Sequence, residues 1–299
     1  MYDAIVIGAG PAGLQAALTL GRMHRSTLLL DSGQYRNGTV LHMHNVVAND
    51  GTPPAEFRAT ARTQLAEYAD IGIRDVGAQT VTPTDAGFTV LLADGETAET
   101  RHVILATGVA DDLPPVPGLQ ELWGVKAFSC PFCDGHEHAG RSIAILGPAP
   151  RAEHLIGLLG RIVSDIIVFP VEQAFSPEEA QTLEGLGARV SAEIVTAVAP
   201  DADGVRISTE SGEQSVAGVF VASGSLRHRA PFADQLGLHL LSSGSIEIDD
   251  FGRTSLPGVF AAGDLAHRAS LPGPMASVLL AAAAGQLAAV GVIQSLMAP

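Results

Sequence analysis

The chain has 299 residues, enough for two domains of ordinary size, and an apolar share of 46% supports a core in each. Only 16% of residues are charged and the formal net charge is −15, so broad contact with nucleic acid or with an anionic membrane surface is disfavoured for want of Lys and Arg. Met1 runs straight into an apolar strand pattern with no basic leader or small-residue cleavage site, which predicts a cytoplasmic protein.

In chain order, "YDAIVIGAGPAGLQAALTLGRMHRSTLLLDS" predicts a strand over 4–7, a glycine turn, a helix with an Ala/Leu face and a second strand ending at Asp31, a βαβ unit. Residues 37–54 read as loop and 53–68 as helix. Strand patterns over 78–82 and 87–92 flank a Pro-Thr-Asp turn, and "RHVILATG" is a third. The proline-rich 111–118 reads as a linker. A second strand–turn–helix–strand begins at "RSIAILGPAPRAEHLIGLLGRIVSDIIVF", and further strands close at "GVFVASGS". "GVFAAGD" then leads into a charge-free stretch over 276–297. That stretch is long enough to span a bilayer, but Ala dominates it and Ser277, Gly285, Gln286, Gly291, Gln294 and Ser295 interrupt it, which predicts a buried core helix. The two halves echo one another as a duplicated α/β unit.

"GAGPAG" satisfies G-x-G-x-x-G in the context that gives the motif meaning: strand before, helix after, and an acid ending the next strand. Gly8 makes the tight turn, Gly10 leaves room for a pyrophosphate, and Gly13 lets the helix sit close to the strand. The helix N-terminus, which starts at Pro11 and takes in Ala12, offers its free N–H groups to phosphate, and Asp31, followed by Ser32, can accept from ribose hydroxyls.

The only two cysteines stand in "FSCPFCDGHEH". Zinc would have to draw all four ligands, Cys130, Cys133, His136 and His138, from nine consecutive residues, whereas tetrahedral sites take ligand pairs from separated segments. A structural pair would not need this spacing. A C-x-x-C spacer does let two sulfurs bond, a helix start favours thiolate, and Asp134 and His136 stand ready to move the proton of exchange. The segment therefore reads as a redox pair, with no metal.

"TSLPGVFAAGD", with Gly263 and Asp264, resembles the second flavin fingerprint of the two-dinucleotide disulfide reductases, and "ATG" at Ala106, Thr107 and Gly108 resembles the strand end those enzymes carry. Together with "CPFCDG", they make the chain resemble the low-molecular-weight thioredoxin reductase family. The resemblance implies an α/β protein of two Rossmann-like domains, an FAD domain over 1–110 and 237–299 split around a C-x-x-C domain over 111–236, and a homodimer. It also implies that Asp264 contacts the ribityl chain, that Cys133 is the flavin-proximal sulfur, that Cys130 exchanges with substrate and that Asp134 is the acid/base. Asn45, with His42 and His44 on the loop 34–51, is expected beside the flavin, as is a helix N-terminus near Ala276.

Two departures from that family bear on function. The second glycine loop is "GPAPRA": Ala149 stands where a glycine would admit a pyrophosphate, and Pro148 and Pro150 lack N–H donors. The next strand leads to Glu172, Glu178 and Glu179 where the reductases carry arginines, and "GPMAS" replaces an Arg-Gln pair. The pattern is similar to the dithiol oxidases of gliotoxin, holomycin and romidepsin formation. It implies an FAD enzyme that closes a disulfide in a small-molecule dithiol, with O2 as acceptor and H2O2 as product. The alternatives are an NAD(P)H- or ferredoxin-dependent disulfide reductase and a flavin-bound redox sensor.

Overall fold

The computed structural model describes residues 1–297. It divides into two compact units: Met1–Gly38, Ala55–Ala110 and the chain from Arg227 onward form the first, and Thr39–Pro54 with Asp111–Leu226 form the second.

In the first unit, β1 (Tyr2–Ile7), α1 (Pro11–Arg22) and β2 (Thr27–Leu30) realise the expected βαβ, followed by α2 (Pro54–Leu65) and β3 (Ile71–Arg74). β4 (Ala78–Thr84) and β5 (Gly87–Leu92) are antiparallel, and β6 (Thr97–Leu105) returns to the centre. The sheet order is β3-β2-β1-β6-β5-β4, with Val259–Ala261 pairing in parallel to β6. Central parallel strands are covered on both faces, so their sequences are continuous apolar runs, and alternate residues enter two different cores. Ala4, Val6, Leu29 and Ile104 pack with α1 on one face, while Ile5, Ile7, Leu28, Leu30, Val103 and Leu105 pack on the other with Phe88, Val90 and Phe232.

The second unit repeats this plan. A parallel sheet runs in the order Arg189–Val190, Asp165–Phe169, Ser142–Leu146, Val219–Val221, Ala127–Phe128, beside an antiparallel sheet of Ala197–Asp201, Gly204–Ser208 and Glu213–Val216. Ala144 and Leu146 face one core, Ile143 and Ile145 the other.

Three expectations shift. Residues 227–236 belong with the first unit rather than the second, because Phe232 and Ala233 of the short helix Phe232–Gln235 are buried in its core; conversely, residues 39–54 group with the second. The C-terminal helix Val278–Met297 is buried on one face only. Ala281, Gly285, Ala288, Ala289 and Val292 form that face, and a side chain at Gly285 would collide with the Ala12 backbone, so α1 and this helix approach closely. Leu279, Leu280 and Leu287 are 45–48% exposed. By length and composition alone the helix could cross a bilayer, with a mean hydropathy of 1.7. Finally, the helix begins at Val278 with Ser277 as its cap, whose Oγ accepts from Leu280 N at 3.1 Å, so Ala276 lies outside the first turn.

Candidate active site

The first glycine loop is shaped by close approaches. Gly8 has φ +110°, where its Cα lies against the Ala106 backbone, and Gly13 abuts the Gly8 carbonyl. At Gly10, by contrast, an added Cβ would meet nothing within 4 Å. α1 starts at Pro11, so Ala12 and Gly13 N–H are among the first-turn donors that a helix leaves without internal partners. Open space beside free donors fits a pyrophosphate. Thr107 and Gly108 (φ +66°) are partly exposed at the end of β6, and Gly263 (φ +88°) sits against Ala12.

Asp31 directly follows β2, with its side chain 4% exposed. It accepts from Gly33 N at 2.9 Å, Tyr35 OH at 2.5 Å and Arg62 at 2.8 Å. Burial and the Asp31 hydrogen bond push the Tyr35 phenol up to about 12, so it stays a donor. A carboxylate has about four acceptor sites, and three are used, leaving one for a ribose hydroxyl. Ser32 is exposed and its Oγ accepts from Gln34 N. Asp264 pairs with Arg36 at 3.0 Å. Sequence reasoning missed Arg36, Tyr35, Arg62 and Arg58, whose guanidinium carbon lies 3.8 Å from the Tyr35 ring centroid; their only signal was basic and aromatic character near Asp31, without a motif.

In the second unit Cys130 and Cys133 form a disulfide with Cα atoms 5.3 Å apart. Cys130 caps a single helical turn, Pro131–Asp134, in which Cys133 and Asp134 N–H both donate to Cys130 O. One turn carries little dipole, so the expected activation by a helix start is modest. Asp134 is half-buried. Desolvation, reinforced by the negative charge of Glu137 and opposed by His44, pushes its carboxyl up to about 6.

The three histidine candidates separate. His136 is exposed. His138 is buried, with its ring edge-on to Phe128 and Phe220 at 5.6 Å and Nδ1 2.9 Å from Asp134 O, and burial lowers its pKa; it is a neutral core residue. Because His138 faces inward, the four candidate zinc ligands are not gathered, and among the described residues no group of three His, Cys, Asp or Glu side chains could hold a metal. His44 lies 3.6 Å from Glu137 through Nε2 and 3.7 Å from Asp50 through Nδ1. Asn45 (φ +58°) groups with this unit rather than with the glycine loop; its N–H donates to Asp50 Oδ1 at 2.7 Å.

The second glycine loop differs from the first in its winding. Its helix, Ala149–Leu159, begins one residue earlier than α1 does relative to the motif, and Arg151 and Ala152 N–H both donate to Pro148 O. Pro148 and Pro150 have no N–H to give, and the Arg151 guanidinium donates to Gly224 O at 3.0 Å. One expectation is corrected here: the Ala149 methyl does not stand in a phosphate cradle but is 1% exposed in the core. Glu179, one of the three glutamates that stand where the reductases carry arginines, is held in a capping box with Ser176.

A family model for pyridine nucleotide-disulphide oxidoreductases matches residues 2–287. The chain belongs to that family. It is 33% identical over 319 residues to thioredoxin reductase tcpT of Claviceps purpurea, covering 99% of this chain and 96% of the relative. Among solved structures, a putative thioredoxin reductase TrxB of Bacillus anthracis aligns with TM-score 0.90 and 28% identity, over 99% of this chain and 98% of that one. HlmI aligns with TM-score 0.88 and 30% identity, over 99% and 92%.

As a member of the pyridine nucleotide-disulphide oxidoreductases the protein is an FAD-binding flavoenzyme that carries out thiol–disulfide oxidoreduction. It has the two-Rossmann architecture of its thioredoxin reductase-like relatives. The open first cradle at Gly10, beside the free Ala12 and Gly13 N–H groups, fits the cofactor's pyrophosphate.

Proposed function

We propose that the enzyme is a dithiol oxidase: it closes a disulfide in a small-molecule dithiol and passes the electrons to O2, releasing H2O2. The observation that carries this reading is the tightly wound second glycine loop. Pro148, Pro150 and a helix that starts one residue earlier leave this loop fewer free N–H donors for a nicotinamide dinucleotide's pyrophosphate than the first loop, where Ala12 and Gly13 keep theirs.

The chemistry follows from the half-buried disulfide. A substrate thiolate attacks Cys130 Sγ, the Cys130–Cys133 bond breaks and the electron pair leaves on Cys133. The second substrate thiolate then attacks the sulfur joined to Cys130, closing the product ring and releasing the Cys130 thiolate. Asp134 receives a proton from an incoming thiol and returns it to a leaving sulfur, a task suited to a carboxyl pushed up to about 6. His136, exposed beside it, exchanges that proton with solvent. FAD supplies the two-electron acceptor that returns the pair to its disulfide, and O2 takes two electrons and two protons as H2O2.

Gly8, Pro11, Ala106, Thr107, Gly108 and Gly263 shape the cofactor cradle, with Asp31 on the ribose and Asp264 on the ribityl chain. The half-exposed Leu279, Leu280 and Leu287 favour a homodimer that covers the C-terminal helix, and we place the enzyme in the cytoplasm.

Anaerobic mixing with NADPH and with NADH tests the direction. The flavin is expected to keep its colour, whereas aerobic dithiothreitol gives sustained peroxide that Cys133→Ser abolishes. The thioredoxin reductase names of the relatives favour a second reading, a nucleotide-fed reductase, and prompt bleaching by either nucleotide would establish it instead.

A further inference from the structure

His44 has no role in the chemistry described so far, yet the loop that carries it is built to hold it in place. Met43 and Val46 on either side are buried. Main-chain bonds from Met43 N to Thr52 O, Gly51 N to Met43 O and Asn49 N to Val46 O close the loop on itself. Asn45 and Ala48 adopt positive φ, a conformation that costs free energy in residues other than glycine and persists only where surrounding bonds enforce it. Asp50 fastens the Asn45 N–H and faces His44 Nδ1. The imidazole is thereby presented to Glu137, three residues after Asp134, with its side chain 24% exposed.

We infer that His44 and Glu137 are positioning residues for the thiol–disulfide exchange: the imidazole held between Glu137 and Asp50, with Glu137 three residues beyond Asp134, sets the charge around that carboxyl. This rests on Asp134 being the acid/base, but not on O2 being the acceptor. The groups facing His44 are Glu137 and Asp50, and those acting on Asp134 are Glu137 and His44. Glu137 raises the carboxyl's proton affinity and His44 lowers it. The two side chains come from different segments and act on Asp134 with opposite sign.

The test is anaerobic stopped-flow reduction of the holoenzyme by dithiothreitol across a pH series, for wild type, His44→Gln and Glu137→Gln. Each rate is divided by that of Asp134→Asn, which cancels the reductant's own ionisation. The wild-type ratio is expected to rise through about pH 6, where Asp134 ionises. Glu137→Gln moves this rise to lower pH and His44→Gln moves it to higher pH, each by about half a unit, the size of one charge acting through a partly solvated medium. Shifts of the same sign, or none in either variant, would overturn the inference. If His44→Gln does not fold, Glu137→Gln alone decides by the sign of its shift. Failure of the oxidase reading shows up separately, as absence of peroxide in air with the anaerobic pH series intact.

Discussion

Replacing Asp134 by Asn should trade function for stability in a pH-dependent way. The carboxyl's pKa is pushed up from 3.8 to about 6, so the fold favours its protonated form. A group whose proton affinity rises on folding contributes its stability below the unfolded pKa and loses it as pH climbs through the folded one. Wild type therefore carries a penalty that is absent below pH 3.8, grows towards pH 6 and is complete above it. A shift of about two units corresponds to at most about 3 kcal/mol, and partial solvation reduces this to roughly 1–2 kcal/mol. Asn fills the same volume without the charge. Asp134→Asn should match wild type in acid and gain roughly 1–2 kcal/mol above pH 6, or roughly 2–8 °C in melting temperature for units of this size. Thermal unfolding of both proteins across that range measures it, alongside slower dithiothreitol oxidation. A variant no more stable than wild type at high pH, or equally more stable at every pH, would refute the claim that burial of this carboxyl is what tunes it.

Gly10→Ala should fold normally, since its backbone is extended at φ −74° and the methyl enters open space, yet bind little flavin; the ratio of flavin to protein after purification reports this. Gly13→Ala should destabilise the first unit itself, because the methyl would strike the Gly8 carbonyl, and should lower the melting temperature with or without added FAD. His138→Ala removes a ring packed between Phe128 and Phe220 and should cost about 2–4 kcal/mol in denaturant unfolding while leaving the pH dependence of exchange in place. Leu280→Arg with Leu287→Arg should convert the proposed dimer to monomer in light scattering without unfolding it, because both side chains are half-exposed in the single chain.

Much of this protein was legible in the order of its residues. Strand, glycine and helix follow one another within each βαβ unit, so local periodicity sufficed to find β1, α1, β2 and their second-unit counterparts. The C-x-x-C pair needed only its spacing to form a disulfide. What was hidden depends on residues far apart in the chain. Arg62 reaches Asp31 from α2, Arg36 meets Asp264 across more than two hundred positions, and His44 meets Glu137 from a loop that local rules describe only as polar.

Sequence alone determined that one glycine loop loses a single donor to proline and the other loses two, because the presence of an N–H is a covalent fact. Tertiary structure decided what each donor and methyl then does. It wound the second loop into its helix and sent the Ala149 methyl into the core; it buried His138 and left His136 in water, two residues apart. The physical reason is that burial and hydrogen-bond partnership are set by what the rest of the chain brings alongside, and those two quantities fix both packing and proton affinity.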